Sequence, residues 1–453
     1  MKVIKKILII LTLLFFVTIS FARPASCDLI QPINLPENTN IYRFAANENA
    51  HKPLISAKKQ ARYTKNFFQH FFSPWAKPKI AITNKLSPIN RYYRKDQLFN
   101  ISYYRSHRGY GENYQPNTIV WFSKIVANMD MLHFPNQDRN AIMVHNALVR
   151  YLPTSDPIFG NHHYAGQGYP FDNLQKSMLM VGTPIHIYQV SKQGDWVFVK
   201  SSAVFGWVKT EDIAYVDKDF ITRWHTGHYV ATVTKKYSVR DAFGIYRFHA
   251  YLGAVFPIVE INSKSYIILI PAANIKRQAV ALYAKVPGNV MQKMPLASTP
   301  ANFARVTQQL IGESYGWGGL FFLTDCSSAL KNIYTAFGIW LPRNSGAQAM
   351  VGRRVNLSSL SPRERQDYIV RYGKPFTTLI HVPGHIMMYL GSENGKVMTF
   401  QNVWAFQTWA KRNSSYCEGR AIVGKGVIIP LELEYDRGMT PQIAVNELDI
   451  SYL

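Results

Sequence analysis

Tyr315-Gly316-Trp317-Gly318-Gly319-Leu320-Phe321-Phe322-Leu323-Thr324-Asp325-Cys326-Ser327-Ser328 runs from a glycine-rich lead-in through a polar cap. Leu330, Ile333, Tyr334 and Phe337 follow at helical spacing, so Cys326 stands at or just before a helix N-terminus. The free amides of a first helical turn favour an anion, and a thiol there is expected to ionise more readily than a free one. That suits an attacking sulfur. A buried structural cysteine, the competing reading, needs neither the cap nor the glycines.

A cysteine nucleophile needs a base, and His385 is the best candidate. Along His385 to Leu390 the chain alternates, with His385, Met387 and Tyr389 on one face of a strand and Ile386, Met388 and Leu390 on the other. Gly391-Ser392-Glu393-Asn394-Gly395 reads as a turn, and Val397 to Trp404 resumes as a strand. A hairpin symmetric about Glu393 would set Gln401 directly across from His385, with Cβ atoms about 5 Å apart. The Gln401 carbonyl would then accept from the imidazole Nδ1–H and leave Nε2 for the thiol proton. Other thiol hydrolases use the ring the other way round, and the sequence does not choose. Asn402 falls on the opposite face, beside Phe400. His381 is the competing base, in a loop-like run before Pro383-Gly384. Cys417 follows the polar stretch Asn413 to Tyr416 with no helix after it, so nothing there should activate its thiol.

The stretch from Tyr315 through Asp325-Cys326-Ser327 to Asn344-Ser345-Gly346-Ala347-Gln348, then Gly384 to Gly391 and Phe400 to Trp404, resembles the NlpC-type cysteine peptidases. These are papain-like hydrolases that cut the peptide stems of bacterial peptidoglycan. The resemblance extends upstream. Phe72-Ser73-Pro74-Trp75 is similar to the N-terminal helical region of larger members, while Arg150 to Thr154 and Gly168 to Asp172 are similar to the first of two bacterial SH3-like domains. It implies Cys326 as nucleophile, His385 as base and Gln401 at a third position usually held by histidine. It also implies Tyr315 as an oxyanion-stabilising hydroxyl, with Trp317, Asp325, Ser327, Asn344 and Ser345 lining the substrate pocket. Related enzymes carry an acidic residue where Asn344 stands, which helps hold the free amine of the peptide. In similar proteins the first SH3-like domain narrows the catalytic groove, and Tyr164 and Tyr169 on its Gly-rich loop are candidates for that wall.

Two blocks of short β-like runs precede this region and suggest two small barrels: Ala147–Leu152, Thr183–Val190, Trp196–Lys200 and Val204–Val208, then Tyr229–Val233, Phe256–Ile261 and Tyr266–Ile270. Phe67, Phe68, Phe71, Phe72 and Trp75 form one apolar helical face in a stretch, His51 to Lys85, that holds eight Lys/Arg and no Asp/Glu. Thr299-Pro300 reads as an N-cap followed by proline at the first helical position. The expected class is α+β: a papain-like catalytic domain at 298–435, SH3-like domains at 136–218 and 219–290, a helical region at 23–135 and a C-terminal tail at 436–453.

The ends and the charge place the protein. Lys2, Lys5 and Lys6 precede an uncharged run from Ile7 to Ala22, the pattern of a signal peptide over residues 1–22 rather than a membrane span. Pro24-Ala25-Ser26 before Cys27 has the small residues of a lipoprotein cleavage site but no Leu three places before the Cys, and membrane contact is expected only if Cys27 is lipidated. Net charge is +24, from 51 Lys/Arg against 27 Asp/Glu. That excess favours an anionic partner, and export directs it to envelope polymers and not to nucleic acid. Three cysteines exclude a disulfide-stapled scaffold. The histidines show no paired ligand spacing, so neither a metal nor another cofactor is expected. The reading is a secreted endopeptidase of peptidoglycan stem peptides or muropeptides, cutting the bond from γ-D-glutamate to an L-diamino acid. Its rival is a noncatalytic wall-binding protein.

Overall fold

The computed structural model describes residues 26–32, 35, 39–46, 48–76, 87–412, 415–432 and 449–453. The signal segment at 1–22 lies outside them. Three helices make up the N-terminal region: α1 (Ala57–Phe71), α2 (Pro88–Ser106) and α3 (Ile119–Asn128). Each starts on a hydroxyl cap, from Ser56, Ser87 and Thr118 in turn, because an oxygen there satisfies an amide that the first turn leaves open. The aromatic face read from the sequence is packing surface. Phe68 and Phe72 lie against Tyr229, at 4.5 and 5.6 Å between ring centres, and Trp75 Nε1 donates to the Ala141 carbonyl at 2.8 Å.

The first barrel is a seven-stranded antiparallel sheet running from Arg139–Met143 to Ile213–Tyr215. A short helix, α4 (Lys218–Trp224), leads to the second, built from a five-stranded sheet and the hairpin Lys236–Arg240/Tyr246–Tyr251. The runs read as strands in these two blocks are all present, with no end moved by more than three residues.

In the catalytic domain α5 (Pro300–Gln308) begins at the Thr299 cap as expected. Helices α6 (Cys326–Thr335), α7 (Ser345–Gln348) and α8 (Pro362–Tyr372) accompany a seven-stranded sheet. Its long central meander is His385–Glu393, Lys396–Arg412 and Ser415–Pro430. Two expected boundaries change. The region read as a C-terminal tail supplies the strand Asp449–Tyr452, which pairs between Arg353–Asn356 and Thr378–Val382. The region read as purely helical at the N-terminus supplies Ser26–Pro32, parallel to Ser415–Pro430. Periodicity could not reveal either, since the partner strands lie from about 70 to about 390 residues away.

The parts are not separate beads. One buried apolar cluster takes Ile41, Ile55 and Phe67 from the helical region, Tyr229 and Val255 from the second barrel, and Phe303, Leu330, Phe337, Met388 and Phe400 from the catalytic domain. Gln60 of α1 donates from Nε2 to the carbonyls of Leu296 and Phe337, at 2.6 and 3.2 Å. A shared core of this kind makes the helical region part of the catalytic fold.

Candidate active site

Cys326 is the first residue of α6. Asp325 caps it in a reciprocal box, accepting from Ser328 N at 2.8 Å while the Ser328 hydroxyl accepts from Asp325 N at 2.9 Å. The sequence placed the thiol correctly because capping is local. The same carboxylate takes the Arg343 guanidinium, with Nη1 at 3.1 Å and Nη2 at 2.5 Å, and the Ser327 hydroxyl at 3.1 Å. Arg343 also donates to Ser327 Oγ at 3.0 Å and to Ser177 Oγ of the first barrel at 2.7 Å. Asp325 and Ser327 are therefore buried and mutually engaged. Burial alone would raise the Asp325 carboxyl, but the Arg343 charge and the Ser328 bonds hold it below the ordinary carboxylate value. Arg343 was missed by sequence reasoning. It stands one residue before Asn344, yet only the fold shows which carboxylate it meets.

His385 opens its strand next to Ile386, which shares one buried cluster with Cys326, and α6 packs against that strand. Its Nε2 meets Gln401 Oε1 at 3.0 Å. The ring therefore runs opposite to the sequence expectation, with Nδ1 left for the sulfur. The amide orientation is fixed by a relay. The Thr399 hydroxyl gives its hydrogen to the Ile429 carbonyl at 3.0 Å and so accepts from Gln401 Nε2 at 2.9 Å. Gln401 must then turn its carbonyl to His385, and a carbonyl can only accept, so Nε2 carries the proton. The pairing differs too. Met388 pairs with Phe400 and Glu393 with Lys396, with a bulge between Tyr389 and Gly391. Gln401 thus falls across from Met387 and reaches His385 along the diagonal. The bulge and the tight turn together displace the register by two, which preserves the face.

Burial dominates the protonation of the pair. It pushes the Cys326 thiol up to about 12, helped by the Asp325 charge and opposed by the Ile386 and Ser327 amides and Arg343. It draws His385 down to about 4, with the Gln401 bond opposing and His381 assisting. The expected ease of ionisation is reversed at rest, because desolvation outweighs one helix terminus. His381, read as a loop residue, sits in the strand Thr378–Val382 and pairs in register with Ile386. Tyr315 is close enough for the Asp325 and Cys326 charges to act on it, and burial above all raises its phenol. Trp317 Nε1 donates to the Asp172 carbonyl at 3.3 Å, and its ring packs edge-on against Phe171. Asn344 is exposed, with its Oδ1 capping α7 at Ala347 N, 2.9 Å away, and Ser345 starts that helix. Asn402, placed on the opposite face, is buried and donates to the Thr324 carbonyl at 2.7 Å and hydroxyl at 2.8 Å, fixing the strand to the residue before the cap. Among the described residues no group of three or more His, Cys, Asp or Glu could hold a metal ion.

Four family profiles match along the chain: the N-terminal stabilising domain of NLPC_P60 over 7–134, an SH3 domain of SH3b1 type over 157–209, an SH3 domain of SH3b2 type over 217–260, and the NlpC/P60 family over 312–403. Residues 312–403 thus form an NlpC/P60 domain. A solved NlpC/P60 endopeptidase from Photobacterium damselae subsp. piscicida is similar over 93% of this chain and 98% of its own, at 27% identity and a TM-score of 0.82. An NlpC/P60 family protein from Bacillus cereus ATCC 10987 aligns over 69% of this chain and 98% of its own, at 15% identity and a TM-score of 0.47, too low to support inference. Comparison with curated proteins gives no match. The chain thus combines an NlpC/P60 peptidase domain, a stabilising domain and two SH3 domains, the make-up of an endopeptidase-like peptidoglycan hydrolase.

Proposed function

We propose that the protein is an exported cysteine endopeptidase that cuts the bond from γ-D-glutamate to the L-diamino acid, commonly meso-diaminopimelate, in peptidoglycan stems. The observation that carries this reading is the thiol at the first position of α6, packed against the strand that opens with an imidazole whose Nε2 is held by Gln401 at 3.0 Å. The pair rests neutral, so Cys326 attacks the carbonyl as His385 Nδ1 removes its proton, and no resident ion pair is required. Nδ1 then protonates the leaving amine, and water, activated by the same nitrogen, releases the acyl group. The raised Tyr315 phenol keeps its hydrogen and can donate to the developing oxyanion together with the first amides of α6. Asp325 and Ser327, saturated by Arg343, shape the pocket without offering a free carboxylate to an amine.

Export rests on the sequence of residues 1–22 and on the wall-directed make-up of the domains. Among the described residues no helix is long and apolar enough to cross a membrane. Digestion of defined muropeptides followed by mass spectrometry tests the proposal. Paired fragments ending at D-glutamate and beginning at the diamino acid are expected from the native protein and not from Cys326→Ala. Intact substrate in both, with retained binding to sacculi, would establish the noncatalytic wall binder instead.

A further inference from the structure

A cleft of about 340 Å³ opens where the helical region, the first barrel and the segment before Cys326 meet. Its size is that of a small-molecule site. Tyr110 and Tyr114 line it from the helical region, Phe159, His162 and Tyr169 from the first barrel, and Phe321 from the catalytic domain. Tyr164, the other expected wall residue, does not line it.

Three of these rings are held out toward solvent: Tyr114 is 59% exposed, Tyr169 61% and Phe321 61%. Tyr114 and Phe321 also occupy left-handed backbone, at φ +62° and +57°. That conformation is costly for bulky side chains and ordinarily goes to glycine or asparagine. The neighbouring Phe322, at φ +59°, gains a stacked contact with Tyr251 at 5.9 Å, whereas the Phe321 ring meets Tyr169 more loosely, at 6.4 Å. Strain without burial is what a ligand contact would explain.

We infer that the cleft is a sugar subsite which receives the glycan end of a muropeptide; this rests on the peptidase reading above. The rings stand at angles, 65° between Phe159 and Tyr169 and 51° between Tyr169 and Phe321, so they offer no parallel slot for a flat aromatic ligand. A pyranose matches angled walls, because it turns C–H patches to the rings and hydroxyls to the Glu112 carboxylate, the Ser155 hydroxyl and the tyrosines at the rim. An anionic polymer fits poorly. The Arg150 guanidinium in the floor is already bound by the Asp172 carboxylate and by Gln175 Oε1 at 3.1 Å, which leaves no free cation there. In a muropeptide the muramic lactyl carboxyl is tied up as the amide to the stem, so its sugar is neutral at that point. Phe321 is five residues from Cys326, at most about 18 Å of extended chain. A lactyl link and two stem residues span the interval from sugar to scissile bond.

The test uses the full chain as Cys326→Ala and the peptide-free disaccharide GlcNAc–MurNAc as probe. Saturation-transfer NMR or calorimetry should show binding, weakened about five- to tenfold by adding Phe321→Gly, which removes one stacked ring. Glycine accepts the left-handed backbone, so this variant keeps the fold. In the active protein, Phe321→Gly should lower by a similar factor the ratio of kcat/KM on disaccharide-tetrapeptide to that on free tetrapeptide. No disaccharide binding, or binding indifferent to Phe321→Gly, overturns the inference even if stems are cut. Phe321-dependent binding without cleavage of any stem would instead overturn the peptidase reading and leave the sugar site standing.

Discussion

Thr399→Val removes one hydroxyl and almost no volume, yet it should damage turnover. The native Thr399 hydrogen goes to the Ile429 carbonyl, so the oxygen shows only lone pairs to Gln401 Nε2, and this fixes which end of the amide faces His385. Valine shows neither. A flipped amide would turn its NH₂ to Nε2, force the ring to carry its hydrogen on Nδ1 and leave the thiol without a base. If the two orientations become equal, kcat falls about twofold. If the flip gains a further ~1.4 kcal/mol, within the range for a lost buried hydrogen bond, the productive fraction drops to about a tenth. Two buried partners also go unsatisfied, costing about 1–3 kcal/mol of stability. Steady-state kinetics on a defined muropeptide should show the loss in kcat with KM little changed, since Thr399 is fully buried and touches no substrate. Thr399→Ser restores the hydroxyl and should recover activity. Native kcat in Thr399→Val, or Thr399→Ser no better than valine, would refute the relay.

The remaining expectations address the same pair. Gln401→Ala should lower kcat by roughly 10–1,000-fold, while Gln401→His, which can still present an acceptor, keeps substantial activity. His385, held down to about 4 by burial, should place the acid limb of kcat/KM near pH 4 and not near the free-imidazole value of 6.5. A carboxylate in Gln401→Glu favours imidazolium and should move that limb upward. The same depression has a stability consequence: unfolded His385 protonates below 6.5 and the folded ring does not until about 4. Stability therefore falls as pH drops through that window, and His385→Gln should flatten this part of a pH–melting curve. Asn402→Ala breaks both bonds to Thr324 and should lower the melting temperature and kcat together; a change in kcat alone would contradict an anchoring role.

How far the site was legible follows how local each cause is. Cys326 at a helix start could be read because a cap, three glycines and an apolar stripe all lie within about twenty residues of it. His385 and Gln401 were placed on one face by strand alternation, which a displacement of two residues leaves intact. The pairing itself depended on a bulge that no residue type announces, since Leu390 looks like any strand residue. The choice of ring nitrogen was illegible because it is set by Ile429, two strand contacts away from the imidazole. Ionisation was misjudged for the same reason. A helix dipole can be read from sequence, but the burial that overrides it is a property of the assembled fold.

The first barrel was expected to narrow the groove, and its contacts give it a positioning role as well. Gly318 and Gly319 lie so close to the first barrel that a Cβ on either would meet Gln175 or Met178 at less than 3 Å. Gln175 Nε2 donates to the Gly318 carbonyl at 2.9 Å, Trp317 reaches the Asp172 carbonyl, and Ser177 takes Arg343. All three grip the segments that flank Cys326, and the last does so through the residue that holds the Asp325 cap. Excising the first barrel would therefore remove more than a wall from the groove. It would release the lead-in from one side and free Arg343 from one of its anchors, while the second barrel and α1 still shared the core beneath. The catalytic geometry is thus a property of the four parts folded together, and substitutions such as Ser177→Ala or Phe321→Gly can separate groove shape from site integrity where a deletion cannot.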